Sequence, residues 1–163
     1  MVEVVGYELR TAAQQDDVEH RLRTVVAGIL GDVRVDPELA QGTDIGGARV
    51  VVLLPATADP ARVLPGLLMA AANRLAQDNA RFRDRLRLRM AIGSGPEELN
   101  RLVDSDPLRM AVARYPEADV LVLVSGTVHA EAGRLEPGIG RFRRVVVGDN
   151  EFTGVAWLWV GPD

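Results

Sequence analysis

The sequence predicts one mixed α/β (α+β) domain over residues 1–163: a βαββαβ core with extra strands at its C-terminal end. Three observations predict it. Short valine-rich runs alternate with longer segments whose apolar residues recur at helical spacing. Two more strand-like runs, Phe142–Val147 and Val155–Val160, stand together at the end and read as an antiparallel hairpin. The chain has 163 residues, 47% apolar and 26% charged, which suits one domain with a real core rather than a disordered chain.

The elements follow in order. Val2 to Glu8 is rich in β-branched residues and reads as a strand. Asp16 or Asp17 is a cap for the next segment, in which Val18, Leu22, Val25, Val26 and Ile29 keep helical spacing, with Gly31 as a stop. Asp32 to Gly47 is polar and rich in turn formers, with at most a weak strand and a tight turn at Gly46-Gly47. Ala48 to Leu54 is a continuous apolar run ended by Pro55, a strand buried on both faces. Asp59-Pro60 starts a helix with a cap residue and a first-turn proline. Its stripe is Val63, Leu67, Leu68, Ala71 and Leu75, although Pro65 falls inside the pattern. Leu86 to Ile92 alternates with period two. Helical signal returns at Pro96, breaks at Ser105-Asp106-Pro107, and resumes through Leu108, Ala111 and Val112. Asp119 to Val124 is a buried strand, and Thr127 to Ala132 a short helix. Two β-α-β units around a β-β step make a ferredoxin-like core.

Composition removes several kinds of chemistry. All 19 basic residues are arginine, so Schiff-base lysines and phosphate-loop lysines are excluded. There is no cysteine, hence no disulfide, thiolate nucleophile or zinc-thiolate site. His20 and His129 are too few for a histidine metal cluster; His20 lies among charged residues on the first helix and reads as surface, and His129 has no acid-base partner in reach by sequence. The net charge of −4 gives no case for nucleic acid. No apolar run reaches the about 18 residues a membrane helix needs, and a strand starting at Val2 leaves no signal peptide, so a cytoplasmic address is expected.

Several stations along the chain resemble the class III nucleotidyl cyclase domain, of the degenerate type common in actinobacteria. Glu3-Val4-Val5-Gly6-Tyr7 resembles the first-strand motif Asp-Ile-Val-Gly-Phe. Gly47-Ala48-Arg49, leading into Val50 to Pro55, resembles the Gly-Asp-Gly turn before the third strand. Leu88 to Gly95 resembles Leu-Arg-x-Gly-Ile-His-x-Gly, and Arg101-Leu102 the end of the Asn-x-x-x-Arg-Leu helix motif. Phe142-Arg143-Arg144-Val145 and Ala156-Trp157-Leu158 resemble the closing strands. The order and spacing of these motifs carry the resemblance over nearly the whole chain.

The resemblance implies two divalent cations held by two aspartates, which polarise a triphosphate and activate a ribose hydroxyl. This chain has Glu3 at the first position and Ala48, which cannot ligate, at the second. Glu97 stands where the family has a substrate-facing asparagine, the loop after Gly95 is short, and no lysine can recognise the base. Arg101 keeps the transition-state arginine. Losing one transition-state donor costs about 10²–10³ in rate. No catalytic residue, metal or cofactor is therefore expected. The leading expectation is a catalytically inactive cyclase-like domain that regulates or binds a partner, as a homodimer or with another cyclase-like domain.

Two alternatives stand beside it. A nucleotide-sensing module would use Glu3, Arg87, Arg89 and Arg101 around a nucleotide. An active enzyme would need a rearranged metal site on Glu3 and Asp44. Each named residue also has a plain reading. Glu3 is a solvated or capping acid. Arg101 makes a surface salt bridge. The run Arg81, Arg83, Arg85, Arg87, Arg89 is either a basic stripe for phosphates or a solvated face with acidic neighbours such as Asp84.

Overall fold

The computed structural model describes residues 1–35, 48–55, 57–133, 142–148 and 153–162, and the main chain of 41–44. Strands β1 (Val2–Val4), β2 (Gln41–Asp44), β3 (Arg49–Leu53), β4 (Leu88–Ile92), β5 (Val120–Ser125), β6 (Phe142–Gly148) and β7 (Thr153–Val160) form one sheet. Its order is β2-β3-β1-β4-β5-β7-β6. Helices α1 (Ala12–Asp32), α2 (Pro60–Asn79), α3 (Pro96–Val103), α4 (Asp106–Arg114) and α5 (Gly126–Ala132) complete the fold. Among the described residues no helix is long and apolar enough to cross a membrane.

The first four strands are the predicted core. β1 lies between β3 and β4 and runs antiparallel to both, while β2 closes a hairpin with β3. β5 adds parallel to β4 through the α3–α4 crossover, and the β6–β7 hairpin extends the sheet beyond it. β5 shows why a continuous apolar run is needed there. Val120, Val122 and Val124 pack with α1, α2 and α5, while Leu121 and Leu123 pack with α3 and α4.

Several boundaries differ from the sequence expectation: β4 starts at Leu88 rather than Leu86 and β7 at Thr153 rather than Val155, and two differences near the N-terminus have a plain local cause. β1 stops at Val4 rather than Glu8, because Gly6 has φ 68° and turns the chain into a short 3-10 turn at Tyr7–Leu9. The Arg10 guanidinium pins that turn by donating to the Val5 and Gly6 carbonyls at 3.2 and 2.9 Å. Helix α1 starts ahead of Asp16 and Asp17, because Thr11 and Gln14 form a reciprocal capping box. Elsewhere local chemistry holds. The Asp59 carboxylate accepts from the Ala61 amide at 3.0 Å to open α2, which continues through Pro65. The Gly46-Gly47 turn lies outside the described residues.

Helices α1 and α2 are also joined by charge. Arg21, 2% exposed, donates to Asp78 Oδ2 through Nε and Nη2 at 3.1 and 2.6 Å, and its guanidinium lies over the Phe82 ring. A buried guanidinium requires such a partner.

Candidate functional site

Register brings three charged residues into one row across three strands. Glu3 on β1 pairs with Arg49 on β3 and with Arg89 on β4. Cross-strand partners share a face and stand close enough for their side chains to meet. Here they do. Arg49 donates to Glu3 Oε2 through Nε and Nη2 at 3.1 and 2.7 Å, and Arg89 Nη2 donates to Glu3 Oε1 at 2.6 Å. Both oxygens of Glu3 are thus engaged by guanidinium groups.

Asp104, at the junction of α3 and α4, closes the cluster from above. It accepts from Arg49 at 3.1 Å and sits 3.7 Å from Arg89. Two acids and two bases make the set neutral. Glu3, Arg89 and Arg49 keep side-chain exposures of 17, 18 and 25%, so solvent screens them only in part. Burial works to lower the Arg49 pKa, but its hydrogen bond to Glu3 and the charges of Glu3 and Asp104 outweigh that and raise it. A pocket of about 170 Å³ opens beside the row, lined by Glu3, Gly6, Glu8, Arg89 and Arg109.

The other sequence candidates fall elsewhere. Arg87 is partly buried and its guanidinium is already engaged: it donates to the carbonyls of Ala118, Val112 and Tyr115 at 3.1, 3.0 and 2.8 Å. Burial and the neighbouring Arg85 lower its pKa. Arg101 is exposed in the last turn of α3, where a cation suits the helix dipole. Glu97 is exposed at the opposite end of that helix. Ala48 is buried at 7% exposure and brings no ligand to Glu3. Asp44 pairs with Val50 in the main-chain register, one position away from the Glu3 row. The two-aspartate cation site implied by the resemblance therefore does not fit these residues. Its first carboxylate already serves two guanidiniums and its second is a methyl group.

The arginine run forms no stripe. Only Arg89 lies within β4; residues 81–87 precede the strand. Arg85 binds Asp119 at 2.6 Å and the Glu117 carbonyl, while Asp84 pairs with Arg10 at 3.0 Å. His20 is exposed on α1. His129 stacks on Trp157 at 4.1 Å and meets Phe142 edge-on at 5.2 Å, and burial lowers its pKa.

Sequence reasoning missed Asp104 and the pairing role of Arg49. The signal for Arg49 was there: it is a charged residue beside the apolar run of β3, as Glu3 is a charged residue between the valines of β1. Nothing local marks Asp104, whose role depends on how α3 packs over the sheet.

A second space lies at the other end of the core. A cleft of about 330 Å³ opens under α1 and α2, where β3 and β4 end. Its walls include Ile29, Val52, Leu64, Leu67 and Met90, and its mouth carries Ser94 and Glu131. No protein-family model matches the chain, and no curated protein matches it.

Proposed function

We propose that this chain is a catalytically inactive nucleotidyl-cyclase-like domain that acts in regulation by binding a partner in the cytoplasm. One observation carries the reading: Arg49 and Arg89 hold both oxygens of Glu3. A divalent cation needs several oxygen ligands at short range. Here a cation would have to displace two charge-assisted hydrogen-bond donors and would find only Glu3 and Asp104, both already engaged by Arg49. The guanidiniums supply positive charge but no open coordination position, so they cannot polarise a phosphate as a metal does. The βαββαβ core and the C-terminal hairpin are the architecture that the resemblance implies, which supports a retained scaffold with its chemistry removed.

Domains of this family pair head to tail, so the reading includes a homodimer or a pair with another cyclase-like domain. Incubation with manganese and ATP or GTP is expected to release neither cyclic nucleotide nor pyrophosphate. Turnover carried away by Glu3→Gln would overturn the inactive reading. Light scattering is expected to show a dimer; a strict monomer at high concentration would remove self-pairing. Calorimetry separates partner binding from nucleotide sensing: heat with ATP, GTP or a cyclic nucleotide, lost on Arg89→Ala, would favour the sensing module.

A further inference from the structure

The cleft under α1 and α2 opens mainly on the face of the sheet away from the Glu3 row, reaches Met1, Ala91 and Leu99 of the other face where β4 ends, and stands independently of any cyclase resemblance. Three features define it. First, its size: about 330 Å³ is within the range of small-molecule sites and far above the water-sized voids of ordinary cores. Second, its walls: Val26, Ile29, Val63, Leu64, Leu67 and Met90 are aliphatic or thioether side chains projecting from two helices and a strand. Water in such a space has few polar partners, so an apolar occupant displaces it readily. Third, its rim: Ser94 and the exposed Glu131 stand at the mouth, no basic side chain is among the described residues that line it, and the Met1 amino group, which also borders it, donates to the Ala91 carbonyl at 2.8 Å and has its pKa lowered by burial to about 5, so it is neutral near pH 7. Glu98 adds a second carboxylate close by, held on the Ser94 amide at 2.6 Å. The walls are built on β3, β4, α1 and α2, with Pro55 and Pro60 at its edge. Such a site needs little reordering to accept a ligand.

We infer that this cleft binds a small aliphatic amine, its chain among the α1 and α2 side chains and its ammonium group at Glu131. A cleft of this size suits a short aliphatic chain of about ten heavy atoms. The acidic rim attracts an ammonium, accepts a hydroxyl and repels a carboxylate.

Three probes of equal chain length test this: decylamine, 1-decanol and decanoate, each below its micelle concentration. Methyl-labelled methionine gives an internal contrast. Met90 lines the cleft at 3% exposure, whereas Met110 on α4 is 70% exposed and distant from it. Decylamine is expected to raise the melting temperature and move the Met90 methyl signal while Met110 stays still. Decanoate is expected to bind about fivefold more weakly or worse, since one partly screened charge is worth roughly that factor. Glu131→Lys, an exposed change, is expected to reverse that order. Val63→Trp or Leu67→Phe fills the cleft and is expected to abolish the Met90 response in a folded protein. A Met90 signal unmoved by all three probes, or unchanged by both filling variants, would overturn the site. Decanoate binding as tightly as decylamine would overturn the amine assignment.

Discussion

The two faces of the sheet treat their chemistry in opposite ways. On the face covered by α3 and α4, four charged side chains gather, and their charges close on one another. On the face covered by α1 and α2, the residues are aliphatic, yet they leave open space. The chemically suggestive cluster is paired within itself; the chemically plain region holds an open cleft. Reactive residue types in a sequence therefore do not measure available chemistry. What matters is whether the fold has already given them partners.

Perturbing each face sharpens that contrast. The largest effect is expected within the packed part of the α2 layer. Leu68 is fully buried, and Leu68→Ala should cost about 2–5 kcal/mol in urea unfolding. Next comes the charged row. Glu3→Ala leaves two guanidiniums facing each other and should cost about 2–3 kcal/mol, less than a fully buried pair because the side chains remain 17–25% exposed. Replacing the whole row with Glu3→Leu, Arg49→Met and Arg89→Met should recover stability to within about 1 kcal/mol of the parent. A Glu3→Ala protein as stable as the parent would mean the row is solvent-screened and its oxygens are available after all. The cleft wall should be more forgiving. Leu67 is only half-buried, and Leu67→Ala should cost about 1 kcal/mol or less, well below its neighbour Leu68. A cost equal to that of Leu68→Ala would show that the cleft closes in solution.

The smallest effect is the share of His129 in the pH dependence. Burial holds the His129 pKa below its ordinary 6.5, so the unfolded imidazole takes up its proton first as pH falls. The stabilising contribution is complete above 6.5 and declines on acidification toward the folded value. The buried Met1 amino group, its pKa lowered by burial from 8.0 to about 5, sets a loss of melting temperature as pH falls from about 8 to about 5; His129 adds a shallower loss below about 6.5, and His129→Gln should remove that part alone.

Much of the fold was legible because its signals are local. The run Val120 to Val124 announces a strand covered on both faces, and Asp59-Pro60 announces a helix start. Gly6 and Thr11 show the limit. Each outranks a longer-range pattern through one residue's geometry, a left-handed φ in the first case and a capping box in the second. The site was less legible. Glu3 and Ala48 were readable as positions, but Glu3's fate depends on the register of β1 against β3 and β4. Register is a property of the sheet, not of any segment. The cleft was invisible, since Ile29, Leu64 and Leu67 would fill a solid core with the same hydrophobic pattern.

The three carbonyls held by Arg87 come from the end of α4 and the stretch leading into β5. One side chain just ahead of β4 thus buttons the α3–α4 crossover to the sheet. Cutting that fastening with Arg87→Met should let the crossover breathe as a unit, speeding amide exchange in α4 while α1 and α2 keep their protection.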